Sequence, residues 1–115
     1  MNKTDLFLST IADDAVGLAA KHGLGLEIAE YCTAANMDEF FAETDPIVRK
    51  AMKSSNAKRF IFHAPFNELF PAAIDPNVVQ NAHFRLNQAV SLAIAYGIKK
   101  LVVHSGQVPM LYYPI

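Results

Sequence analysis

Four short apolar runs alternate with three stretches of helical character, and this strict alternation limits the fold more than any other feature of the chain. The runs are Asp5 to Ile11, Leu24 to Tyr31, Arg59 to Ala64 and Lys99 to His104. Each is almost continuously apolar rather than alternating, the pattern of strands buried on both faces in parallel βαβ units. Between them, Asp13-Asp14, Asp45-Pro46 and Asp75-Pro76 supply helix starts, since Asp caps free N–H groups and Pro fits the first helical turn. Gly23 and Gly97 close the first and third helices and feed the next strands, a weak internal echo. The second helix is expected to end near Lys53, and a polar break spans Thr33 to Asp38. In the third helix Val79, Ala82, Leu86, Ala89, Val90, Ala93 and Ile94 form an apolar stripe that needs a sheet to cover it.

At 115 residues, the length fits one domain or part of one. The composition is 52% hydrophobic and 18% charged, against roughly 45–50% and about 25% in ordinary soluble domains, so unusually much surface calls for burial. Net charge is −1, and the loose group Arg49, Lys50, Lys53, Lys58 and Arg59 spans a helix end and a strand start. Cations there offset the helix dipole, a simpler reading than a phosphate or nucleic-acid footprint. Cys32 is the only cysteine, so neither an internal disulfide nor a thiol-pair metal motif is available. The run Leu6-Phe7-Leu8 is too short for a signal core, and no window reaches the roughly 20 apolar residues of a membrane helix. A cytoplasmic protein is the expectation.

Two α/β architectures satisfy the alternation, an open doubly wound sheet and a closed barrel. The first strand-to-helix turn, Ser9 to Asp14, contains no glycine to admit a pyrophosphate, and no Gly-rich phosphate loop occurs elsewhere. Beyond Lys100 there is no Asp, Glu, Lys or Arg, and Val108 to Ile115 lacks the length and polarity of a covering helix. The fourth unit is therefore expected to lack its helix within these 115 residues.

In a barrel, chemistry sits at the C-terminal strand ends and the loops that follow. There the chain places Ser9 and Thr10, Glu27 and Glu30, His63 with Asn67 and Glu68, and His104 with Ser105. On neighbouring strands, His63 and His104 would converge as neutral nitrogen ligands for Zn or Mn; as isolated residues, each would instead satisfy its ring nitrogens on backbone carbonyls. Glu27, within an apolar strand, must face a wet interior or meet a cation. Glu30 is more easily solvated. Ser105-Gly106 offers a hydroxyl and backbone to a substrate oxygen, or is a plain turn. Cys32, with no adjacent base in sequence, reads as a packed thiol, and His22 and His83 as surface residues on helices.

The stretch His63-Ala64-Pro65-Phe66-Asn67-Glu68 through Asp75-Pro76, together with Ala95 through Gly106, resembles the xylose-isomerase-like barrel superfamily. Gly25-Leu26-Glu27-Ile28 is similar to its glycine-x-glutamate second strand, so the resemblance runs from residue 5 to about 113. It implies an α/β fold, the N-terminal half of a (β/α)8 TIM barrel, with about four parallel strands and three crossover helices forming one partial domain over residues 1–115. It further implies a divalent metal (Zn, Mn or Mg) held by His63 and His104, with Glu27 catalytic and Asn67, Glu68 and Ser105 binding a small sugar or sugar phosphate. The implied reaction is isomerisation or epimerisation, in which the metal polarises a hydroxyl and carbonyl pair while a side chain moves the proton. His63 and His104 match ligand positions of the hydrolytic, abasic-site endonuclease branch. The principal ligands of the isomerase branch come from strands five to eight, which this sequence lacks. The 115-residue chain alone is thus expected to be inactive, as a truncated piece, one part of a split enzyme, or a half-barrel that pairs with itself. A phosphodiester hydrolase and a non-catalytic, self-associating half-barrel are the alternatives, the latter using the tail after Lys100 as its contact.

Overall fold

The computed structural model describes Asn2 and residues 5–106. The expected contact tail, Val108 to Ile115, lies outside the described residues. Strands β1 (Phe7–Ser9), β2 (Gly25–Ile28), β3 (Phe60–His63) and β4 (Leu101–Val102) alternate with helices α1 (Ala15–His22), α2 (Phe41–Ser54) and α3 (Pro76–Ala95). The strands form one parallel sheet in the order β1-β2-β3-β4. Parallel neighbours cannot be joined by a tight turn, so each helix carries the chain back to the start of the next strand.

Register fixes two distinct faces. Leu8, Leu26 and Phe60 stand side by side, as do Ile28, Phe62 and Leu101. These residues share one core cluster with Ala15 and Ala19 of α1, Val48 of α2, and Ala89 and Ala93 of α3. All three helices therefore cover the same face, whereas a doubly wound sheet carries helices on both. Ser9, Glu27 and Ile61 align on the opposite face, with His63 beside Val102, and all are only half-buried. An α/β fold with four parallel strands and three helices is compatible with half a barrel.

Local chemistry explains most element ends. Gly23 takes φ 67 as its N–H bonds the Ala19 carbonyl, a left-handed turn that a side chain would strain. Asp75 caps α3 by accepting from the Asn77 N–H, with Pro76 in the first turn. The strands are shorter than their apolar runs because the outer residues leave the ladder. Glu30–Cys32 and Ala34–Asn36 are 3-10 turns rather than the continuation of β2, and His104 lies past the end of β4.

The expected α2 start at Asp45-Pro46 is corrected. The helix begins at Phe41, and Pro46 sits inside it. The preceding turn is held without a proline by the buried Thr44, whose N–H and hydroxyl both donate to the Phe40 carbonyl. The α3 stripe is corrected in part. Ala82, Ala89 and Ala93 are buried and Leu86 packs on the core, but Val90 is 43% exposed and Ile94 71%. They face a groove of about 450 Å³ beside the β4 edge, floored by Ile98 and Leu101. Among the described residues no helix is long and apolar enough to cross a membrane.

Candidate functional site

At the C-terminal end of the sheet two imidazoles meet. His63 ends β3, His104 follows β4, and their Nε2 atoms are 3.1 Å apart. Adjacency of β3 and β4 in the sheet brings them together, although they are 41 residues apart in sequence. His63 Nδ1 lies 2.9 Å from the Ala64 carbonyl oxygen. A carbonyl only accepts, so Nδ1 carries the proton and the Nε2 lone pair of neutral His63 points at His104. Without an ion between them, His104 Nε2–H donates to it.

Aromatic packing holds the pair. The Phe66 ring stacks on His104 with centroids 4.3 Å apart and planes 11° from parallel, and it meets His63 at 5.3 Å. Ala64 and Pro65 are buried, so the chain leaving β3 is firmly set before Phe66. Sequence reasoning assigned Phe66 no role; its place three residues after His63 in a Pro-fixed turn was the available signal.

A cleft of about 550 Å³ opens beside His104, lined by Asn67, Glu68 and Ser105 together with Phe66 and Phe70. Asn67, Glu68 and Ser105 are exposed, and each can address a bound molecule. Glu68 holds φ 61, a left-handed conformation that costs a non-glycine residue of order 1 kcal/mol. Gly106 closes the cleft with φ 84, and a Cβ there would meet Pro71 Cδ at 2.9 Å and the Leu69 carbonyl at 3.1 Å. Only glycine lets the segment after β4 lie against the loop after β3.

Glu27 stands one strand away on the same open face, opposite Ile61 and diagonal to His63. Its half-buried carboxylate has no hydrogen-bond or ion-pair partner among the described residues, as expected of a carboxylate facing a wet space. Cys32 has an imidazole neighbour that the sequence did not show, but it meets the protonated ring nitrogen, which cannot act as its base. Its Sγ lies 3.1 Å from His63 Nδ1. Burial, then the Glu27 and Glu30 carboxylates, push the thiol up to about 11, so it stays protonated at neutral pH. It sits on the Nδ1 side of His63, away from the facing Nε2 atoms. Glu30 is also tethered rather than freely solvated: the Thr10 hydroxyl donates to it at 2.7 Å while accepting from the Ala29 N–H.

His22 and His83 are exposed on their helices. Among the cations at the other end of the strands, Arg59 lies over the Phe7 ring at 5.2 Å and donates to the Gly23 carbonyl, while Lys53 occupies the last turn of α2. Compared with known proteins, the chain matches no family model, no curated protein and no solved structure.

Proposed function

We propose that the chain forms the front half of a metal-dependent TIM barrel of the xylose-isomerase-like class, which isomerises or epimerises a small sugar or sugar phosphate. The observation that carries this reading is the 3.1 Å approach of the His63 and His104 Nε2 atoms, with the His63 tautomer set by the Ala64 carbonyl. Two nitrogens bound to one ion at about 2.0–2.1 Å lie about 2.8–3.4 Å apart between octahedral and tetrahedral geometry, so the pair fits as two ligands of one cation. The carbonyl on Nδ1 is the outer partner that ligating histidines commonly use. Among the described residues no group of three or more His, Cys, Asp or Glu is placed to hold an ion. The remaining ligands would come from water, substrate or further strands.

A bound divalent ion would polarise the hydroxyl and carbonyl oxygens of the sugar. Glu27, unpaired on the open face, carries the proton between the carbons. Asn67 and Ser105 orient the sugar oxygens, and the Phe66 and Phe70 rings keep water from one wall of the cleft. Solvent deuterium should appear at the sugar α-carbon when the protein, completed by its second half and loaded with Mn²⁺, meets its substrate. His63→Ala and His104→Ala should each abolish that exchange. No exchange on any pentose or hexose, free or phosphorylated, would sink the reading.

A further inference from the structure

We infer that the cleft beside His104 takes an uncharged polyhydroxy compound and discriminates against its phosphate ester, which rests on the sugar reading above and narrows it. The basis is a separation of charge along the strands. Of the eleven carboxylates only Asp5 precedes a strand. Glu27 is within β2, and the others follow a strand or lie in the early turns of α2, which starts from the same end. In contrast, segments 10–14, 29–40, 64–75 and 103–106, which follow the four strands, contain no Lys or Arg. Lys58, Arg59, Lys99 and Lys100 lie just before β3 and β4 and line a different cavity of about 430 Å³. Arg49 and Arg85, farther along their helices, are bonded to Asp45 and Asp38.

Helix starts at the same end would ordinarily attract phosphate. Here the α3 start is met by a carboxylate, Asp75 accepting from the Asn77 N–H. Asp14 before α1 and Glu43 in the first turn of α2 make no side-chain cap bond but place negative charge beside the other two starts. Nor is there free glycine backbone to wrap an anion. Gly106 is the only glycine in these four segments, and it is packed against Leu69 and Pro71. The cleft instead offers the Phe66 and Phe70 rings, the Asn67 amide and the Ser105 hydroxyl, with Glu68 as its one carboxylate. Aromatic walls beside hydroxyl-matching polar groups suit a neutral sugar, and the surrounding negative field favours an accompanying cation over a dianion.

The test titrates the ¹⁵N-labelled full chain with fructose and with fructose 6-phosphate at low ionic strength, following the Asn67 and Ser105 amides against Lys58 and Lys99. Fructose should shift the cleft amides at concentrations roughly tenfold or more below those the phosphate requires there. Glu68→Gln and added salt should each narrow that gap. Equal or tighter cleft binding of the phosphate overturns the inference while leaving the sugar reading intact. If neither compound moves the cleft amides, the inference fails, and the sugar reading is judged separately by deuterium exchange in the completed protein. Mn²⁺ broadening of the His63 and His104 ring signals in the same sample then judges the metal pair alone.

Discussion

The two faces of the sheet are made from alternate residues of the same strands, yet they do different work. On the helix-covered face Leu26, Ile28 and Phe62 are wholly buried. On the other, Glu27, Ile61 and His63 stay half-buried, though each is a chain neighbour of one of them. Stability is concentrated on the first face, and the groups able to handle a proton or a cation stand on the second. A period of two in side-chain direction therefore separates folding from chemistry within strands of four residues.

Replacing one residue from each face of β3 tests that division most severely. Phe62 is 0% exposed and stacks on Tyr31 at 5.6 Å. Phe62→Ala should cost about 3–5 kcal/mol in a denaturant titration. The adjacent His63→Ala should cost less than about 1 kcal/mol, since no core packing is lost. Similar costs at the two positions would mean that the open face is also a folding core.

A smaller effect is expected where the covered face meets solvent. The buried Tyr31 hydroxyl bonds the Tyr96 hydroxyl at 2.5 Å, and Tyr96 donates to Asp45 Oδ1 at 2.7 Å. Arg49 completes the group by bonding Asp45 and lying over the Tyr96 ring. Tyr96→Phe strips Tyr31 of that partner and should cost about 1–3 kcal/mol. The Tyr96 bond, followed by Arg49, holds the Asp45 carboxyl below the usual range despite some opposing burial. A depressed folded value gives stability that is present above the ordinary carboxylate range and is lost as pH falls through the folded value. Wild type should therefore lose stability on acidification over a window that Tyr96→Phe narrows, as urea midpoints between pH 6 and pH 2 would show.

Much of this was legible in sequence. The apolar runs, the helix-closing Gly23 and Gly97, and the Asp75-Pro76 start each act through neighbours in the chain, so pattern alone finds them. The α2 start was missed because Asp45-Pro46 resembles a start, while the turn before it rests on Thr44 and Phe40. The pairing of His63 with His104 was foreseen only as a consequence of strand adjacency. Cys32 beside His63, Phe66 on His104 and the Tyr31–Tyr96–Asp45 group were not legible. These contacts depend on where loops and helices land, which no local spacing encodes.

An opposite sign is expected at Glu68, on the rim of the open face. Its φ of 61 is easy for glycine and costly for glutamate. Glu68→Gly should raise stability by up to about 1 kcal/mol, the relief of strain being partly offset by the greater backbone entropy that glycine loses on folding. The same substitution removes the one carboxylate of the cleft, so on the reading advanced above it also weakens the discrimination against phosphate. A gain in stability with altered binding would show that the strained residue is kept for the cleft.

The smallest effect belongs to the outer edge of the covered face. Ile94 lies one residue after the buried Ala93, yet it is 71% exposed over the groove beside β4. In the isolated chain Ile94→Ser removes little buried surface and should move the unfolding free energy by less than about 0.5 kcal/mol. If the groove is instead covered in solution, by another copy or by further chain, the cost should exceed about 1 kcal/mol, since a buried side chain is worth roughly 1.5–3 kcal/mol. A cost that grows with protein concentration would identify another copy as the cover, because association adds to stability by mass action. A cost independent of concentration would identify the chain itself. The smallest expected number thus tells most about how the covered face continues past β4.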